Sequence, residues 1–308
     1  MNKHVLILFL DGVGIGSEEP ERNPFCNAQL PTLTQYLDVG WPFSLSPRIC
    51  EQASLIPTDA TLGVDGIPQS ATGQATIITG KNMPSLLGEH WGPWPNGEIR
   101  RHLTEGNLFN FISAEGGTVA LLNAYPQAYF DAISRRRRSY SVFPFIEVSS
   151  GQGLFTESDL RAGRAISPNF TNKDWRDQLK IADLPLLTTM EAGQHIAALA
   201  QEYTFSFIDH WPTDHLGHRG PMSRAIKHLE HIDQVLAGIL SSWDHKNGLL
   251  IITSDHGNIE DLSQRRHTTN PVPTILFGQA HAHFATQITD LTDIATVVKQ
   301  FLGYTLPT

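Results

Sequence analysis

The chain has 308 residues, 40% of them apolar and 17% charged, which suits a globular protein with one large or two modest cores. A net charge of -9 excludes a general nucleic-acid binder, which needs a basic face. The two cysteines, Cys26 and Cys50, form neither a metal-type pair nor a disulfide framework, so a reducing compartment is expected.

The first element is the apolar run Val5–Leu10. It is short for a signal peptide, and no small-residue cleavage site follows. It reads as a buried parallel strand that ends at Asp11, with Gly12, Gly14 and Gly16 in the loop beyond. No stretch reaches transmembrane length, so a cytoplasmic protein without a membrane partner is expected. Pro31–Leu37 reads as a short helix opened by proline. Ala71–Thr79 reads as another, stopped by Gly80, with Ser70 at its head. That serine is either a helix cap or a nucleophile held at the positive end of a helix.

From Asn82 to Asn96 the sequence is loop-like, and His90, Trp91 and Trp94 sit there as a hinge with packing or substrate-contact roles. Residues 89–184 read as an inserted, smaller α+β cap, with a helix in NLFNFISAEGG and strands in TVALLN and SYSVFPFIEV. The one basic cluster, Arg135, Arg136, Arg137 and Arg138, lies inside it. Its plain reading is a solvated loop; its sharper reading is a patch that contacts an anionic substrate, with His90 nearby.

Beyond the cap come a helix in TTMEAGQHIAALAQE, a strand at Tyr203–Asp209, and an amphipathic helix with Ile226, Leu229, Ile232, Val235 and Ile239 on one stripe. GLLIITSDHGN and PVPTILFG read as further strands, and a last helix turns Leu291, Ile294, Val297, Val298 and Phe301 inward. Alternation of strands and helices gives an α/β fold, a mainly parallel sheet sandwiched by helices. Residues 1–88 and 185–308 would form this core.

Acidic and imidazole groups recur beside these strands: Asp11, then Asp214 and His218 in TDHLGH, Asp255 and His256 in TSDHGN, and His267 in RRHTTNP. In an open α/β sheet, ligands bind beyond the carboxyl ends of strands. Their oxygens and nitrogens suit divalent Zn2+ or Mn2+. Asp214 and His218, four apart, share one face of a helical turn. His215, Asp209 and His210 are neighbours with supporting or structural roles. His228 and His231 read as solvent-facing, and His281 and His283 as surface.

FLDGVGIG, QSATGQATIITG, DHLGH, TSDHGN and HTTNPVP, in that order, resemble the alkaline phosphatase superfamily, and within it the branch of cofactor-independent phosphoglycerate mutase and phosphopentomutase. The likeness covers roughly residues 1–85 and 190–308. It implies two divalent metal ions and a phosphorylated nucleophile. Asp11, Ser70, Asp255 and His256 would hold one ion, and Asp214, His218 and His267 the other. Ser70 falls at the nucleophile's position, with Thr72 as a lesser rival. Gly73 would leave room for the phosphate to approach.

The chain departs from those mutases in being much shorter, in Gln74 where they carry histidine, and in Gln69 where they carry Asn or Asp. Hydrolysis demands less of a site than retention of an intermediate away from water. The reading is therefore a phosphomonoesterase of a small phosphorylated metabolite, acting through phosphoserine. An intramolecular phosphomutase and a non-catalytic module binding metal and a phosphorylated ligand are the alternatives.

Overall fold

The computed structural model describes residues 3–38 and 45–305. Among the described residues there are nine strands: β1 (His4–Leu10), β2 (Arg48–Ile49), β3 (Ala53–Thr58), β4 (Val119–Leu121), β5 (Ala124–Tyr125), β6 (Phe155–Thr156), β7 (Phe205–His210), β8 (Gly248–Thr253) and β9 (Val272–Phe277). Seven of them form one sheet in the order β2-β3-β9-β8-β1-β7-β4. The stretch β8-β1-β7-β4 is parallel, whereas β9 runs antiparallel to both β8 and β3.

Every side chain of β1 is buried, because both faces of the sheet are covered. Val5, Ile7 and Phe9 pack on one face, with the helices Ser70–Thr79, Leu108–Ala114 and Asp293–Leu302. Leu6, Leu8 and Leu10 pack on the other, with Pro31–Leu37, Thr189–Ala200 and Met222–Ser242. The last two helices approach closely at Gly193 and Gly238. A Cβ on Gly193 would lie 2.1 Å from the Val235 carbonyl.

Two expectations change in the stretch 89–184. SYSVFPFIEV is not a strand; Val142–Ser149 is a helix that buries Val142, Phe143, Ile146 and Glu147. Pro144 falls in its first turn, where a missing N–H costs nothing, while in a sheet it would remove a ladder donor. In addition, β4 is an edge strand of the large sheet. The remainder of the stretch holds the separate pair β5–β6 and a small apolar cluster of Ala124, Leu160, Ala165, Trp175 and Leu184.

Candidate metal centre and nucleophile

The direction of the strands decides what meets at one edge. Asp11 follows β1, Asp214 lies just beyond β7 on the helix Pro212–Arg219, and Asp255 and His256 follow β8. All are at carboxyl ends. His267 precedes β9, and because β9 is antiparallel its start lies at the same edge. β3 runs the opposite way to β9, so its carboxyl end also leads there, toward the helix that Ser70 opens.

Two groups of ligand atoms converge, each within 4.8 Å: Asp214, His218 and His267, and Asp11, Asp214 and His256. Asp214 reaches both. Its Oδ1 lies 3.4 Å from His218 Nε2 and 3.6 Å from His267 Nε2. His256 Nε2 lies 3.5 Å from Asp11 Oδ1 and 3.7 Å from Asp255 Oδ2. The His256 and His267 rings stack at 3.6 Å, bringing the two groups side by side.

Backbone carbonyls orient the three imidazoles. Nδ1 of His218, His267 and His256 lies 3.0 Å from Arg265 O, 2.9 Å from Pro68 O and 3.3 Å from Gly257 O. A carbonyl can only accept, so each Nδ1 carries the proton and each Nε2 presents a lone pair to the site. Burial, then neighbouring His267, holds His256 well below the usual histidine range, which keeps it neutral.

The carboxylates fit a cation. Burial first, then Asp255, Asp214 and Asp209, holds Asp11 well above the ordinary carboxylate range. Burial and then Asp214 push Asp255 up to about 8. Among the described residues, these acids form ion pairs only with histidines. Asp11 Oδ1 is buried with no hydrogen-bond partner. An orphan oxygen beside converging lone pairs is a donor set that a divalent ion satisfies.

Ser70 is the first residue of its helix rather than the cap. Gln69 occupies the N-cap position without a side-chain capping bond. The Ser70 hydroxyl donates to His256 Nε2 at 3.0 Å. Thr72, the rival, is fully buried, and its hydroxyl donates to Gln69 O at 3.0 Å. Its N–H donates to Trp91 O, also at 3.0 Å. Gly73 serves a purpose other than the one expected. A Cβ there would meet Asp255 Cβ at 2.7 Å and Asp255 O at 2.8 Å, so the glycine admits Asp255 rather than a ligand.

Three further residues shape the site. Gln74 donates from Nε2 to Asp11 Oδ2 at 3.3 Å and to Asp255 Oδ2 at 3.1 Å, bridging the two acids. Asn258 Nδ2 donates to Asp214 Oδ1 at 2.6 Å. Glu260, buried, accepts from the Gly14 and Asn258 N–H groups and from the Thr268 hydroxyl, tying three site loops together. The signal available was TSDHGNIED itself, a buried-strand end followed by an acid that no lysine or arginine accompanies.

A cleft of about 540 Å³ opens over Ser70, Asp11 and Asp214. Of the basic cluster, Arg138 alone lines it, with its guanidinium over the Tyr129 ring. Arg135, Arg136 and Arg137 are exposed in the turn after the helix Gln127–Ser134 and do not reach the cleft. His90 is spent on the Val64 carbonyl, 3.2 Å away. His215 lines an adjoining opening with Arg219 and Arg265. The outer histidines also differ from expectation. His228 is largely buried against His210, at 2.8 Å between Nε2 atoms, and His231 Nε2 lies 2.9 Å from Asn169 O. His281 is buried against the Ser54 hydroxyl, because Ser54 lies in β3 beneath it; His283 is exposed.

Residues 182–306 match a family profile described as the Metalloenzyme superfamily. Over 129 residues the chain is 28% identical to a 2,3-bisphosphoglycerate-independent phosphoglycerate mutase of Desulforudis audaxviator, which covers 40% of this chain and 25% of that protein. A mutase of the same name from Methylobacillus flagellatus is 31% identical over 140 residues, or 42% of this chain and 27% of its own length. The matched part is thus about a quarter of these relatives. Among solved structures, alkaline phosphatase from the Antarctic bacterium TAB5 superposes over 99% of this chain and 100% of its own, with a TM-score of 0.52 and 13% identity. The PH0037 protein of Pyrococcus horikoshii does so over 100% and 99%, with a TM-score of 0.56 and 14% identity. The C-terminal sequence is thus similar to the Metalloenzyme superfamily profile and to phosphoglycerate mutases, and the α/β fold, with its mostly parallel central sheet, is similar to that of alkaline phosphatase.

Proposed function

We propose that this chain, built on an alkaline phosphatase-like fold, is a metal-dependent phosphoryl-transfer enzyme that hydrolyses a small phosphorylated metabolite through Ser70. The observation that carries the reading is the Ser70 hydroxyl at the head of a ten-residue helix, 3.0 Å from His256 and beside two converging donor groups. Asp214, His218 and His267 would hold one divalent ion, and Asp11, Asp255 and His256, with Ser70, the other. When bound, such ions supply Lewis acidity and charge neutralisation at the phosphoryl group. Zn2+ and Mn2+ both suit imidazole and carboxylate donors.

The chain's own residues do the rest. In the observed geometry the Ser70 hydroxyl donates to His256 Nε2, which orients its oxygen. With that lone pair given to an ion, the proton would pass to solvent, and the serine oxygen, its charge stabilised by the ion, would attack phosphorus. The Ser70 helix terminus stabilises negative charge gathering there. Attack expels the alcohol and leaves phosphoserine, which water then cleaves to release phosphate. Gln74 holds Asp11 and Asp255 apart by donating to both, and Glu260 positions the loops that carry Asp255 and His267. The stretch 89–184, expected as a cap, contributes Trp94, Tyr129, Arg138 and Trp175 to the cleft, and we assign it the recognition of the organic group.

The test is phosphate release from a panel of phosphorylated metabolites with Mn2+, Zn2+ or Mg2+. Ser70→Ala should lower the rate by about 1,000-fold or more, as loss of a nucleophile does. Undiminished release by that variant would refute the assignment. The names of the sequence relatives favour a second reading, phosphomutase. Isomerised product in excess of free phosphate would select it.

A further inference from the structure

The cleft over Ser70 differs in character from the floor beneath it. Its walls carry Trp94, Tyr125, Tyr129, Trp175 and Trp211. Trp94 and Trp211 each remain 50% exposed, and Leu179 at the rim 40% exposed. Half-exposed tryptophans that face one concavity are apolar surface with no protein covering. Aromatic faces of this kind stack on flat rings, and their cost in ordering is small.

The polar groups in these walls mix donors, among them Ser141, Gln178 and the tyrosine hydroxyls, with the carboxyl groups of Asp174 and Asp209. Asp209 and Asp174 line the cleft, and Arg138 is its one cation among the described residues. Arg138 is engaged over the Tyr129 ring at 4.9 Å; burial pushes the Asp209 carboxyl up to about 7, with the Arg138 charge opposing in part. Asn123 is oriented by two hydrogen bonds with the Asp209 backbone, at 2.9 and 2.8 Å, which use its carbonyl and one of its two N–H groups. Carboxylates accept from hydroxyl and amino groups and repel another carboxylate. Recognition of an acid such as phosphoglycerate calls for several cations in fork geometry; the aromatic walls carry only Arg138 among the described residues, and Arg219 and Arg265 line the adjoining opening past Trp211 and Asp214 instead. At about 540 Å³ the cleft also has the size of a drug-sized ligand site, and a three-carbon acid would leave much of it wet.

We infer that the cleft selects a phosphomonoester whose organic part is an uncharged, hydroxyl-bearing ring system of nucleoside size, and discriminates against one that carries a carboxylate. The inference rests on the phosphoryl-transfer reading for the position of the phosphate, but not for the recognition of the organic group. Stacking on Trp94 and Trp211 would supply affinity, and hydrogen bonds to Asp209 and Asp174 orientation.

The experiment compares adenosine 5′-monophosphate with 3-phosphoglycerate on the full chain. With Mn2+ present, kcat/KM for phosphate release should favour the nucleotide by about 10-fold or more. Trp94→Ala should reduce that preference roughly 5- to 100-fold, the range for loss of one stacking partner. Asp209→Asn combined with Asp174→Asn should raise kcat/KM for 3-phosphoglycerate. Equal turnover of the two substrates, or a preference untouched by Trp94→Ala, would overturn the inference and leave the phosphoryl-transfer reading intact. If neither compound turns over, titration of Ser70→Ala by tryptophan fluorescence decides. Tighter binding of the nucleotide sustains the inference while the catalytic reading falls; equal or no binding ends it.

Discussion

His218 and His267 face each other Nε2 to Nε2 at 3.1 Å, while each Nδ1 sits against a backbone carbonyl. Neither ring has a proton to spare for the other, so two lone pairs are held together with Asp214 Oδ1 within 3.6 Å of both. Such an arrangement is stable only around a positive charge. Replacing either histidine by alanine should remove about one equivalent of bound metal in elemental analysis, with the fold intact by circular dichroism. Unchanged metal content would contradict the assignment.

Metal removal should destabilise the chain as a whole. The ligands come from loops after three different strands and before a fourth, so binding is linked to folding. At free metal 100-fold above Kd the linkage is about 2.7 kcal/mol, which for a chain of this size shifts Tm by roughly 5 °C. Thermal scans with and without chelator measure it, and superimposable curves would count against resident ions.

Gln74→Leu would deprive both Asp11 and Asp255 of their amide donor. Loss of a buried partner costs about 1–3 kcal/mol. A bound divalent ion would offset part of this, so the loss should be larger in chelator than in Mn2+. Denaturant midpoints in both conditions give the difference, and equal losses would place Gln74 outside the metal-linked network.

Gly73→Ala reverses the usual helix preference. Alanine is favoured by about 1 kcal/mol in a helix interior. Here, however, its Cβ would press on the backbone and Cβ of Asp255, at 2.8 and 2.7 Å. Overpacking of about 1–3 kcal/mol should win. The variant should be less stable and poorer in bound metal; a gain in stability would show that the helix slides freely.

Glu147, buried on the inner face of Val142–Ser149, has its carboxyl pushed up to about 7 by burial, from an ordinary value near 4.5. The folded state then holds an extra proton between those values. Stability therefore falls as pH rises from 4.5 to 7 and stays lowered above 7. Glu147→Gln cannot ionise. It should exceed the parent in stability at pH 8 by up to roughly 3 kcal/mol, with the gap closing toward pH 5. A gap independent of pH would assign the effect to packing.

What could be read from the chain followed from local pattern. The unbroken apolar runs of β1 and β8 and the 3.6-residue stripe of Met222–Ser242 declare themselves without tertiary knowledge. Arrival of His267 at the same edge as Asp11 depends on β9 running antiparallel, which an apolar run does not encode. Burial of His281 and His228 depends on Ser54 and His210, partners distant in sequence. The helix at Val142 departs from the expected strand because aromatic and β-branched residues favour a strand locally, although Pro144 argues otherwise. Gly73 suggests clearance for a ligand in the sequence alone, because its true neighbour, Asp255, is visible only after folding.

The Thr72 N–H bonded to Trp91 O, and Gly92 lying against Gln69 and the Ser70 nitrogen, fasten the rim loop to the helix that bears the serine. Trp94 stands two residues beyond that latch. Exchange of residues 90–96 for a loop of another length would unseat the nucleophile along with the rim, whereas single replacements at Trp94 leave the latch alone. Divergence of substrate range in chains built this way would thus proceed side chain by side chain, and loop-swap chimeras should lose turnover on every substrate at once.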